Sequence, residues 1–188
     1  YLQSATGATR IGVPLLPMIP LGVDCDAFKR DPALGAAYRQ ELGIGAEDIA
    51  IILVARLSNA TKFSPLPMYL ALQQAAERRG RKLHLLLAGS LEGDGSRTAF
   101  TDAAKLACPD VMVHFVDGQN AEIRAKAWAA ADIFTLPVDN VQETFGLAPV
   151  EAMAAGLPVV VTDWDGFRDT VEDGVTGFRI PTIMGGNG

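Results

Sequence analysis

The chain has 188 residues, 49% of them hydrophobic and 20% charged, with a formal net charge of −6. That length supports one well-buried core, and the composition excludes a disordered chain. The acidic balance argues against a nucleic-acid partner, which needs a broad basic face, but it allows one phosphorylated small molecule held by a local cluster of donors.

Residues 1–16 mix polar and small side chains without periodicity and read as a linker. Residues 17–24, "PMIPLGVD", resemble a short strand ending in a glycine turn. A helix follows, with Asp31 as its cap, Pro32 at its first position and Gly43 as its stop. The pattern then becomes regular. The run 49–56 is a continuously apolar strand, 65–80 a helix that ends in basic residues, and 83–89 the next strand. A polar glycine-containing loop leads to a helix over 97–107 and a strand over 111–117. A helix over 121–131 and a strand over 132–137 come next. A small-residue helix starting near Leu147 precedes a strand at 158–162, a short helix at 167–171 and a strand at 177–181. The division expected is linker 1–16, one domain over 17–181, and a tail or cut connection over 182–188. The opening on Tyr1 and the close on Gly185-Gly186-Asn187-Gly188 read as a piece of a longer protein.

Strands that are apolar throughout are buried on both faces, and their alternation with helices implies right-handed crossovers. The fold expected is therefore an α/β, Rossmann-like three-layer sandwich with a mostly parallel sheet. In such a sheet ligands bind beyond the carboxyl ends of the strands. Here those ends are the loops after Val54, Ala88, Val116, Leu136 and Val161.

One of these loops stands out. In "ETFGLAPVEAMAAGLPVVV" Pro149 confines the helix start to about Leu147, because proline is tolerated only in a first turn. The amides of Gly146, Leu147 and Ala148 then point out unpaired at the positive end of the helix dipole, an arrangement suited to a phosphate or pyrophosphate. Gly146 allows close approach to the backbone. Glu143 and Glu151 bracket that point, and carboxylates accept paired hydrogen bonds from vicinal hydroxyls of a sugar or ribose. Against this stands the plainer reading that both glutamates only complement the helix dipole. The second candidate is "VARLSNATK", where Arg56 at a strand end and Lys62 six residues on can clamp a pyrophosphate, Arg as a fork and Lys as a point charge.

Other residues carry less. Asp163-Trp164-Asp165 spells Asp-x-Asp, a metal-diphosphate motif in some sugar transferases, but a metal beside Arg56 and Lys62 would duplicate their charge. Loop and capping aspartates are the favoured reading. The loop 89–96 lacks the spacing and the lysine of a phosphate cradle, although Gly89 at a strand end can lie close to a ligand. His84 and His114 sit in apolar strands and read as core or edge histidines. Cys25 and Cys108 stand far apart, without a metal or redox spacing, and read as two isolated thiols. No apolar run approaches the roughly 18 residues of a membrane span.

"IPLGVD", "ARL" with Lys62, the stretch from Glu143 to Val160, and "DGVTGF" together resemble the C-terminal half of group 1 (family 4) retaining glycosyltransferases of the GT-B fold. The likeness runs from about Pro17 to Pro181. It implies a donor-binding domain whose acceptor-binding N-terminal partner domain is missing from this chain. It also implies transfer of a sugar, with retention, from a nucleotide diphosphate sugar to a hydroxyl. Glu143 would face the donor sugar and Glu151 the ribose. Arg56, Lys62 and the amides of Gly146 and Leu147 would neutralise the leaving diphosphate. Thr144, Phe145 and Ala148 belong to the same donor-binding stretch, while Val116, Asp117 and Gly118 would lie near the base. No metal cofactor is expected. The resemblance points to a cytoplasmic enzyme, with peripheral membrane association left open for the full-length form. Two departures stand out: Phe63 follows Lys62 where glycine is usual, and "PVDNVQETFG" replaces the commoner Pro-Ser before the first glutamate. The competing readings are a non-catalytic nucleotide-sugar-binding module and a GT-B-like epimerase or phosphorylase.

Overall fold

A computed structural model describes residues 5, 7, 17, 19, 21–58, 63–91, 93–138 and 145–182. The strands are β1 (Ile49–Val54), β2 (Leu83–Gly89), β3 (Val111–Asp117), β4 (Ile133–Leu136), β5 (Val159–Thr162) and β6 (Gly177–Ile180). The helices are α1 (Pro32–Glu41), α2 (Leu66–Arg79), α3 (Gly93–Ala107), α4 (Ala121–Ala130), α5 (Leu147–Ala154) and the short α6 (Phe167–Thr170), preceded by a 3-10 turn at Cys25–Phe28. The strands form one sheet in the order β3-β2-β1-β4-β5-β6, every pairing parallel. This is the doubly wound α/β arrangement that the alternating apolar runs imply. Right-handed crossovers place α2 and α3 on one face and α4 and α5 on the other.

Local chemistry explains the boundaries. Asp31 caps α1 through its carboxylate, which accepts from the amides of Ala33 and Leu34. Gly80 ends α2 in the left-handed conformation. β1 is buried at its four central residues and β2 along nearly its whole length, as strands covered on both sides must be.

Two expectations fail. Residues 21–24 form no strand: Leu21 is 57% exposed, and Asp24 instead caps the 3-10 turn by accepting from the Asp26 amide at 3.0 Å. Helix α3 begins at Gly93 and not at 97, so it takes in half of the expected glycine loop. Glycine disfavours a helix by about 1 kcal/mol, yet the stretch that buries Phe100 and Ala104 extends helix back to that point. The segments expected as linker and tail lie almost wholly outside the described residues.

At the amino edge of the sheet Arg39 ties α1 to two strands. Its guanidinium donates to the carbonyls of Gly45, Asp48 and Ala130 and pairs with Asp132 at 2.9 Å. The same Asp132 carboxylate accepts from the Ala50 amide. Next to it His84, read as a core histidine, is buried and joined to His114 at 3.0 Å and to Asp48 at 3.3 Å. Burial, reinforced by His84, holds the His114 imidazole below its ordinary range. On the face of α2, an apolar cavity of about 790 Å3 runs along the strands, lined by Ile51, Met68, Ile133, Val160 and Ile180 among others. Cys25 is exposed and Cys108 buried, both as free thiols.

Candidate functional site

The strand order reverses between β1 and β4, so the loops leaving these two strands diverge toward opposite faces and open a crevice at the carboxyl edge. The β1 loop carries Arg56, which is exposed, and is knitted to the β2 loop by the Leu57 amide donating to the Ser90 carbonyl at 2.8 Å. The β4 loop begins with Pro137 and the fully buried Val138, whose carbonyl accepts from the Thr162 hydroxyl at the end of β5.

Backbone approaches backbone across three strand ends. A Cβ added to Gly89 would lie 1.7 Å from the Ala55 carbonyl oxygen, and one added to Gly118 would lie 2.6 Å from the Gly89 nitrogen. These two glycines are required by contact between loops of the chain itself. Sequence reasoning allowed Gly89 to lie close to a ligand; here it meets the β1 loop on one side and lines a cavity on another.

Past the β4 loop, Gly146 stands as the cap of α5 at φ 78, and a Cβ there would fall 2.3 Å from a ring carbon of the buried Phe167. Both the dihedral and the ring demand glycine. Among the described residues no side chain caps this helix. Among the described residues no backbone carbonyl outside the helix accepts from the amides of Gly146, Leu147 or Ala148. Pro149 lies in the first turn and is buried. One turn in, Glu151 is half-buried; burial pushes its carboxyl up from the ordinary range, and the Arg124 guanidinium partly opposes that.

A cavity of about 370 Å3 lies at the ends of β2 and β3, lined by Leu57, Gly89, Val116, Asp117 and Arg97 among others. The Arg97 guanidinium sits 4.8 Å from the centre of the Phe115 ring. The Asp117 carboxylate accepts from the Gln119 amide at 3.0 Å, which fixes the turn.

The parallel sheet thus brings the loops bearing Arg56, Gly89, Val116, Asp117, Gly118, Phe145, Gly146, Leu147 and Ala148 to one edge, with Glu151 just inside. Lys62, Glu143 and Thr144 lie outside the described residues. Asp163 does not cap a helix. Its carboxylate pairs with Arg168 at 3.1 Å and Arg179 at 3.5 Å, and α6 has no side-chain cap. Among the described residues no group of His, Cys, Asp or Glu side chains is placed to hold a metal ion, and no helix is long and apolar enough to cross a membrane. Arg97 and Arg124 are the side chains that sequence reasoning missed. For Arg124 the usable signal was a cation in the first turn of a helix, where the dipole disfavours it.

A doubly wound parallel sheet whose strand order reverses between β1 and β4 defines a Rossmann-like domain. The chain belongs to the group 1 glycosyl transferases, whose family model matches residues 36–182. It is 36% identical over 164 residues to the D-inositol 3-phosphate glycosyltransferase of Mycobacteroides abscessus, covering 86% of this chain and 34% of that relative. It is 32% identical over 168 residues to the protein of the same name from Geodermatophilus obscurus, covering 87% of this chain and 36% of that relative. The chain therefore spans about a third of the length of the curated relatives it matches. Its fold is shared with Anabaena Alr3699/HepE, solved in complex with UDP and glucose, at a TM-score of 0.64 and 23% identity over 85% of this chain and 41% of that one. It is shared also with WaaG, a glycosyltransferase involved in lipopolysaccharide biosynthesis, at a TM-score of 0.62 and 26% identity over 86% of this chain and 42% of that one. The GT-B half-fold expected from the motifs is thereby established.

Proposed function

We propose that this chain binds the nucleotide diphosphate sugar of a glycosyltransferase that transfers the sugar, with retention, to an acceptor hydroxyl. The observation that carries the reading is the amino end of α5 at the strand switch point, where no side chain among the described residues caps the helix, with Glu151 half-buried one turn behind it. Free amides and a positive dipole end suit a diphosphate, and the adjacent carboxylate suits the paired hydroxyls of a ribose. In this reading the base lies at the turn after β3, near the cavity of about 370 Å3 that Val116 and Asp117 help to line.

In this reading the chemical burden is charge on the departing diphosphate. Arg56, Lys62 and the amides of Gly146 and Leu147 form a field fixed in advance of the reaction, and losing one such donor typically costs on the order of 10²-fold in rate. That cluster neutralises the leaving group without a metal ion. Glu143 faces the donor sugar and is not the covalent nucleophile. The acceptor domain lies outside this chain, so the domain alone binds donor and does not turn it over. The names of its relatives suggest a phosphorylated polyol as acceptor. A cytoplasmic site of action fits a nucleotide-sugar donor.

Calorimetry with UDP, GDP and ADP in EDTA tests the reading. One nucleotide should bind in the micromolar to millimolar range, and Arg56→Ala or Glu151→Ala should weaken it at least about tenfold. Failure of all three nucleotides to bind would overturn the proposal.

A further inference from the structure

The chain has 2 histidines, and the fold brings them together at the amino side of the sheet. His84 lies on β2 opposite Met112, and His114 on β3 opposite Leu86, so the two side chains stand diagonally on one face. Their rings are nearly parallel, at 13°, and His84 Nδ1 lies 3.0 Å from His114 Nε2. On its other side His84 Nε2 lies 3.3 Å from the Asp48 carboxylate, whose same oxygen accepts from the Gly45 amide at 2.7 Å. The Gly45 amide first, and His84 after it, hold the Asp48 carboxyl below its ordinary range. The loop bearing Asp48 is anchored in turn, because Arg39 donates to the carbonyls of Gly45 and Asp48. β3 is an edge strand, paired with β2 alone.

An ionised carboxylate only accepts, so His84 carries its hydrogen on Nε2 and turns the Nδ1 lone pair toward His114, which donates from Nε2. With both rings neutral every position along this line is filled. A first extra proton fits at His114 Nδ1 without breaking the contact, although burial disfavours it. A second has to enter at His84 Nδ1, which sets N–H against N–H between two cations. We propose that Asp48, His84 and His114 form an acid-sensitive clasp that fastens the amino half of edge strand β3 to β2 and releases it when both rings are charged. The clasp stands apart from the reading of the nucleotide site. Burial first, then the His84 charge, lowers the His114 value. The clasp therefore contributes stability that is present above the ordinary value of 6.5 and is lost as pH falls through the folded value. Charged groups on the elements packed around the two strands are engaged elsewhere or solvated. In α4, Lys126 pairs with Glu122, and Arg124 donates to the Gly118 carbonyl. Beside α2, Glu77 and Asp110 share the Gln73 amide, while Arg78 and Arg79 are exposed. In α3, Lys105 pairs with Asp102, and Arg97 lies over the Phe115 ring. Ahead of β2, Arg81 pairs with Glu47, and Lys82 favours the ionised form of Asp48.

The test is amide hydrogen exchange by NMR across about pH 5 to 8, on the wild type and His114→Gln, expressed as protection relative to an unstructured chain. In the wild type, protection over residues 111–114 should fall by up to about tenfold per pH unit below the imidazole range, while β1 keeps its own. In His114→Gln, which retains an amide donor toward His84, that fall should disappear. An equal fall in both proteins, or none in the wild type, overturns the proposal. A loss in β1 in step with β3 would mean global acid unfolding and overturns it too. Should His114→Gln fail to fold, the ring nitrogens of the wild type decide. They should show two separated proton uptakes and hydrogen on Nε2 of His84 at neutral pH; one common step, or hydrogen on Nδ1, refutes the clasp.

Discussion

Glu151 is under two opposed demands. Its role in the proposed site requires a carboxylate, while its half-buried place on α5 favours the neutral acid. An acid whose folded-state value is raised contributes stability that is fully present below its ordinary value of 4.5 and is lost as pH rises through the folded value. Glu151→Gln should therefore melt at a higher temperature than the wild type at neutral pH while binding nucleotide less well. The difference in melting temperature should close as pH falls below 4.5, which thermal scans at several pH values would show. A melting temperature at neutral pH equal to or below that of the wild type would contradict this account. At this scale the sequence was legible where backbone rules act: Pro149 fixed the start of α5 and Gly146 its conformation. The second demand on Gly146, the Phe167 ring, was not legible, because it comes from a residue 21 positions later. Nor was Arg124, whose partners lie on other elements.

The elements of the site meet through three strand ends, with Ala55, Gly89 and Gly118 stacked backbone on backbone. A methyl group at Gly89 cannot fit without parting β1 from β2 at the edge where the ligand is proposed to bind. Gly89→Ala should cost about 3 kcal/mol or more in denaturant unfolding and should abolish nucleotide binding at temperatures where the chain is still folded. A loss under about 1 kcal/mol would mean that the loops yield more readily than their spacing indicates. Element existence was readable from continuous apolar runs, since a strand buried on both faces has no polar side to alternate with. The failures came where local pattern was outweighed. Among the described residues exposed Leu21 has no neighbouring strand, and the glycines opening α3 are carried into helix by the packing of Phe100. The reading of His84 as a core residue agrees with its burial. Burial was foreseen, but the 3.0 Å contact of His84 with His114 depends on the register of β2 against β3, in which His114 lies opposite Leu86.

At the scale of the whole molecule, strand order is the least local property. Alternating strands and helices implied a parallel sheet, but the reversal between β1 and β4 depends on which way α4 carries the chain across it. The reversal gives the molecule two unlike faces, and the one bearing α2 keeps the 790 Å3 apolar cavity along β4, β5 and β6. An anionic naphthalene dye should fluoresce strongly in the presence of the native protein. Ile180→Ser, at a lining position that is 42% exposed, should dim that signal with little change in stability; dye emission at the level of buffer alone would refute this. The same lining decides how melting should be followed. A reporter that brightens on meeting oily surface will be lit before any heat is applied, and its trace will understate cooperativity. The indole of Trp128, edge-on to Phe28 at 6.2 Å and stacked on Phe134 at 5.8 Å, sits inside the core and offers the cleaner optical signal.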